Sequence, residues 1–173
     1  SDEVVPVFIS EPGEFDDRSP NQTQFVMEAL HSLSANLRSL GSNLIVVEGD
    51  PRIEVPRLVS DWGLHRVLTL QRVEPKARAL DDDLRSVLGD RYAVLDGETL
   101  FKPGSLRTGA GTPYTVFTPF SKKFRSQLDA LPPLAAPKSL PQVRPEIVGQ
   151  SVELASLASK NIARNEPVPV GGE

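Results

Sequence analysis

Two histidines, His31 and His65, and no cysteine restrict the nucleophilic and metal chemistry open to this chain. A disulfide framework, a thiolate metal site and a histidine-rich metal site are all excluded. Neither histidine has a Ser or carboxylate partner at a recognisable spacing, so no catalytic triad is supported. His31 falls among polar positions of a predicted helix and His65 at the start of a predicted strand; both read as peripheral. Four charged constellations remain. Gly49-Asp50-Pro51-Arg52 can offer helix N-terminal amides to a phosphate. It lacks the repeated glycines of a dinucleotide or P-loop motif, and a tight strand-to-helix turn is the plainer reading. Glu11, Glu14, Asp16 and Asp17 make the first long loop acidic, which repels an anion. Lys122, Lys123 and Arg125 form a small basic cluster, by default a solvated face and in a lesser reading a DNA-phosphate contact. Asp81, Asp82 and Asp83 are consecutive, cannot share one helix face, and are expected on the solvated side.

The elements that carry these residues belong to a chain of 173 residues with 19 Lys+Arg, 23 Asp+Glu, a net charge of −4, 39% hydrophobic and 24% charged residues. That balance suits one soluble domain able to bury a core. No apolar run approaches the ~20 residues that span a bilayer, so no membrane is expected. The opening SDEVVPVF is acidic and then β-like, unlike a signal peptide. The expected location is therefore cytoplasmic, or nuclear in a eukaryote. Mild acidity gives no general attraction to nucleic acid. Proline is unevenly spread: ten of the 16 lie at or beyond Pro103.

Val4 to Ile9 (VVPVFI) reads as a buried strand, weakened by Pro6, and Asn43 to Glu48 (NLIVVE) as a second. Between them a helix runs from Asn21 to Leu40, capped by Ser19 or Asn21 and stopped at Gly41. Its expected apolar face is Phe25, Val26, Ala29, Leu30, Leu33, Leu37 and Leu40. Arg52 to Trp62 is a second helix, His65 to Leu70 a third strand, Glu74-Pro75 to Gly89 a third helix and Tyr92 to Leu95 a fourth strand. Alternation at roughly 25-residue spacing predicts an α/β fold, an open parallel sheet with helices on both faces. Beyond Asp96 the periodicity fails. GETLFKPGSLRTGAGTPY reads as an ordered loop, Pro119 to Leu128 as one more helix, and LPPLAAPKSLPQVRP as an extended connector. Ile147 to Ala163 suits a weak helix or short turns, and NEPVPVGGE a disordered end or a cut site.

Four stretches, in order, resemble the N-terminal α/β domain of the DNA photolyase/cryptochrome family. They are VVPVFISEP, LHSLSANLRSLGSNLIVVEGDP, RVEPKARALDDDL and GTPYTVFTPFSKKF, spanning residues 4–125. The most specific is the last, through Gly111, Pro113, Tyr114, Val116, Phe117, Thr118, Pro119 and Phe120. The family's opening strand, with its Trp-Phe-Arg-x-Asp-Leu-Arg loop, is not seen, nor is its helical FAD-binding domain. The resemblance therefore implies a piece, with residues 1–130 an antenna-type domain lacking its opening strand and 131–173 an interdomain linker. The sheet should then show a gap or an exposed edge at a central position.

What the resemblance implies about function is a light-harvesting and scaffold role. The parent would be a photolyase, a carbon–carbon lyase that repairs pyrimidine dimers, or a cryptochrome-type photoreceptor without repair. FAD and damaged DNA would belong to the parent's other domain, and this chain alone would not be catalytic. Its antenna chromophore would be a folate or a deazaflavin. The family contacts that chromophore through the segment matching Glu74, Lys76 and Arg78; the alternative is that Glu74 complements the helix dipole and the two cations are solvated. The loop Glu11 to Ser19 matches a region that lines the antenna pocket in deazaflavin-binding relatives, but its acidity argues against a folate there. Gln22 stands where many relatives carry an arginine, which weakens an anion site. Tyr114, Phe117 and Phe120 read as a packing unit, and Trp62 as core.

Overall fold

The computed structural model describes residues 3–16, 18–97, 99–128, 134–157 and 164–172. The chain is α/β, and it divides into two compact units, Ser1–Gly63 with Ala136–Glu173, and Leu64–Ala135. Among the described residues, four strands form two parallel pairs.

In the first unit β1 (Val7–Ser10) pairs with β2 (Ile45–Glu48), Val7 opposite Ile45 and Ser10 opposite Glu48. The strand starts three residues later than the apolar run suggests, because Pro6 has no N–H for a ladder. Its carbonyl still accepts from the Ile45 N–H at 2.9 Å. The crossover helix α1 (Pro20–Ser39) begins in a capping box: Ser19 Oγ accepts from the Gln22 N–H at 3.3 Å, and Gln22 Oε1 from the Ser19 N–H at 3.1 Å. Gln22 is thus committed to the helix start. α1 buries Thr23, Gln24, Leu30, Ser34 and Leu37, while Phe25 and Leu33 of the expected apolar face stay 45% and 46% exposed. Polar partners explain the rotation. Thr23 donates its hydroxyl to the Phe15 carbonyl at 3.3 Å, and Gln24 is covered by the tail described below. Phe15, Leu30, Leu37, Leu44 and Val46 form the core, with Phe8, Val26, Met27, Leu140, Leu154 and Leu157 packed on it.

α2 (Pro51–Asp61) follows the Gly49-Asp50 turn and ends at Trp62, which is buried as expected, its indole N–H on Gln150 Oε1 at 3.1 Å. Among its described residues, the segment expected as a connector is irregular, apart from α5 (Pro145–Val148) and a 3₁₀ turn at Leu154–Ser156. It is nevertheless pinned to this unit. Val143 and Ile147 are 1% and 0% exposed. Val46 donates to Ser151 Oγ and accepts from the Val152 N–H, both at 2.9 Å, so residues 151–152 border β2 where another strand would lie. The described tail, residues 164–172, is a correction to the disordered end: it lies bonded along α1. Residues 129–133, 158–163 and 173, on which parts of the linker and tail expectations fall, are outside the described residues.

In the second unit β3 (Val67–Leu70) pairs with β4 (Tyr92–Leu95) across α3 (Pro75–Leu88), and Gly89, at φ 56°, turns the chain towards β4. α4 (Phe117–Gln127) starts two residues before Pro119. Phe124 stacks edge-on to Phe101 at 5.0 Å and contacts Phe120, which in turn packs edge-on to Tyr114 at 5.9 Å. Phe117 is 74% exposed, so it is not the third member of that unit; its place is taken by Phe124, one helical step from Phe120.

Candidate functional site

Glu74 is the N-cap of α3, with extended backbone (φ −66°, ψ 138°) and no side-chain capping bond, and Pro75 presets the first turn. Its carbonyl accepts the Arg78 N–H at 3.0 Å. Glu74, Lys76 and Arg78 are all exposed. Glu74 and Arg78, four residues apart, share a helix face, and Lys76 between them falls on another. A bound chromophore buries most of its surface in a concave site. By themselves these three side chains supply charge along one turn of helix and no enclosure.

The same segment stands on a polar network that sequence reasoning missed. Asp81, expected in solvent, is 5% exposed. Its Oδ1 accepts from the Tyr92 hydroxyl at 2.7 Å and from Arg72 Nη2 at 3.3 Å. Burial, then the hydrogen bond and charge of Asp81, push the Tyr92 phenol well above its ordinary range. Gln71 donates its N–H to the Leu95 carbonyl at 2.8 Å. The stretch from Gln71 to Glu74 is therefore tied to β4 and to the middle of α3, fixing where Glu74 and Arg78 stand. A signal existed: Ala77, Asp81, Leu84 and Leu88 follow the helical period, and that period places Asp81 inward.

The other candidates resolve locally. In the loop after β1, Glu14 pairs with Arg18 at 2.5 Å and Arg18 lies 5.6 Å over the buried Phe15 ring. Two backbone bonds, from Glu14 to Glu11 and from Asp16 to Gly13, fold the loop into turns, and Asp17 is outside the described residues. At Gly49 to Arg52 the helix amide is taken by the chain's own acid: Asp50 Oδ1 accepts from the Arg52 N–H at 2.8 Å. That carboxylate stands where a phosphate would sit. His31, His65, Lys122, Lys123 and Arg125 are exposed. No helix among the described residues is long and apolar enough to cross a membrane.

Comparison with known proteins gives a consistent result. The family model described as DNA photolyase matches residues 1–140. A deoxyribodipyrimidine photo-lyase of Halobacterium salinarum is 30% identical over 167 residues, 91% of this chain and 34% of the relative. A cryptochrome DASH of Gloeobacter violaceus is 28% identical over 158 residues, 90% of this chain and 32% of the relative. The crystal structure of a bacterial class III photolyase from Agrobacterium tumefaciens superposes with a TM-score of 0.78 at 28% identity, over 97% of this chain and 34% of that one. The chain spans about a third of the length of these proteins.

Proposed function

The chain belongs to the DNA photolyase family, and from that premise we propose that it serves as the N-terminal α/β part of a deoxyribodipyrimidine photolyase, a blue-light flavoenzyme acting on pyrimidine dimers. In this reading the segment supplies scaffold, a surface for the flavin-bearing helical part, and a seat for an antenna chromophore of folate or deazaflavin type. FAD and damaged DNA are held by the other part. The observation that carries the reading is the match of 97% of this chain to about a third of a class III photolyase. Glu74 and Arg78 contact the chromophore's polar edge, Lys76 supplies a second charge, and the network of Asp81, Tyr92 and Arg72 holds the segment in place.

Two measurements test this. The purified chain, mixed with a folate or a deazaflavin, should acquire near-ultraviolet or blue absorbance that survives desalting. Glu74→Ala with Arg78→Ala should weaken that retention. The same chain should show no dimer repair, with or without FAD; repair by the isolated chain would sink the proposed division of labour. The cryptochrome reading draws on the likeness to cryptochrome DASH. Absence of repair by the whole protein, with the flavin bound, would favour it.

A further inference from the structure

The described tail crosses α1 without burying a large side chain of its own, yet its main chain is held at two points. Gln24 pairs with Asn165 in both directions: its Oε1 accepts from the Asn165 N–H at 2.8 Å, and its Nε2 donates to the Asn165 carbonyl at 3.4 Å. Glu28, one turn along, takes the Gly171 N–H on Oε2 at 2.8 Å and Arg164 Nε on Oε1 at 3.0 Å. The two clamp residues are themselves joined, Gln24 Nε2 to Glu28 Oε1 at 3.2 Å. Asn165 Nδ2 adds a bond to Asn21 Oδ1 at 3.0 Å.

The seat of Gly171 is shaped for glycine. A Cβ there would collide with the Phe25 carbonyl oxygen and lie 2.8 Å from the Ala29 nitrogen. Gly172 takes φ 99°, and a Cβ there would be 2.6 Å from Ser32 Oγ. Backbone atoms of α1 cannot give way, so the requirement at Gly171 is steric. By contrast, the segment before the tail is anchored by apolar burial, at Val143 and Ile147. The tail is held by hydrogen bonds and one ion pair, each worth about 1 kcal/mol net or less.

We propose that the outer face of α1 is a clamp that reads main chain, with Gln24 and Glu28 as its jaws. Its resident occupant is the chain's own segment 164–172, which is released without unfolding of the core. The clamp reads the backbone of Asn165 and demands glycine at 171. It is a strap whose docked and lifted states differ only in these contacts.

Amide hydrogen exchange of the full chain, resolved at single residues, tests it. The Asn165 and Gly171 amides should be protected in the parent chain. Glu28→Ala and, separately, Gly171→Ala should speed exchange at both by about tenfold or more, the loss of one or two hydrogen bonds. The Ile45 and Val47 amides should keep their rates. Gly171→Ala leaves every side chain of α1 in place, so it separates loss of the clamp from weakening of the helix. Unprotected tail amides in the parent, unchanged tail exchange in either variant, or equal acceleration of tail and core would each overturn the proposal.

Discussion

The two strand pairs of this chain are built alike and covered differently. Both are parallel, four residues a strand, and joined through a helix. In the first pair β2 is closed: Ile45, Val46 and Val47 are 0%, 2% and 7% exposed. In the second, Leu68, Leu70 and Leu95 share one face and are 59%, 51% and 45% exposed. The difference lies outside the strands. β2 is bordered by Ser151 and Val152, about a hundred residues away in sequence, in the same stretch that buries Val143 and Ile147. The second pair has α3 on one face, where Leu84 and the Asp81–Tyr92 bond close the contact. An apolar run therefore sets the strand; a distant segment decides whether it becomes core.

The largest expected effect breaks or upholds this contrast directly. Ile147→Ala removes a fully buried side chain and should cost the first unit about 2–5 kcal/mol. Leu68→Ala should change stability by no more than about 0.5 kcal/mol. Trp62, the single tryptophan and a residue of the first unit, reports the first change by fluorescence during urea unfolding. Circular dichroism follows the second. Comparable losses in the two variants would mean that the Leu68 face is covered after all.

A smaller effect sharpens the contrast from the other side, because the second unit relies on a buried polar bond. Tyr92→Phe leaves the buried Asp81 with Arg72 as its remaining side-chain partner among the described residues and should destabilise by about 1–3 kcal/mol. The raised phenol pKa fixes the sign with pH. The folded state holds the Tyr92 proton more tightly than the unfolded chain, whose phenol titrates near ~10. This contribution is complete below that value and is lost as pH rises through the folded pKa. In a Tyr114→Phe background only one phenol remains, and its absorbance should turn to phenolate only as the chain unfolds in alkali. Ionisation in the ordinary range with the fold intact would contradict the bond to Asp81.

The elements were legible because their signals are local. Pro20, Pro51 and Pro75 open the first three helices, Gly41 and Gly89 stop two of them, and Tyr92–Leu95 is the strand predicted. The family was legible in the stretch around Thr118-Pro119-Phe120, whose Phe120 packs edge-on to Tyr114. Two things were hidden. Asp81 was placed with its charged neighbours, although its position follows the buried period; its partners, Arg72 and Tyr92, come from two other segments. The face of α1 was misjudged at Phe25 and Leu33, because Thr23 and Gln24 are buried by Phe15 and by a tail far along the chain. For the candidate site, Glu74, Lys76 and Arg78 came from resemblance alone, and the network beneath them joins segments that no local pattern connects.

The smallest expected effect concerns the polar strap, where the first unit departs from its own apolar logic. Glu28 faces Arg164 and the Gly171 N–H from the tail; Arg164 also carries Glu166 at 2.8 Å. On α1 itself its neighbours are Gln24 and, a turn further on, His31 and Ser32. The backbone hydrogen bond from Gly171, with help from Gln24 and Arg164 against some desolvation, holds the Glu28 carboxyl below its usual range. The docked state thus prefers the carboxylate. The strap's stabilisation by this group is present above the ordinary carboxylate pKa of about 4.3 and is lost as pH falls through the lowered value. The Gly171 amide chemical shift should therefore move in acid before β2 loses its amide protection, and the step should vanish in Glu28→Gln. His31 lies about one turn away on the same helix, so a His31→Gln variant must keep the acid step unchanged. An acid step that is lost in His31→Gln, or that moves only with β2, would place the strap under control of another group or of the core, and the separation between polar clasp and apolar anchor would fail.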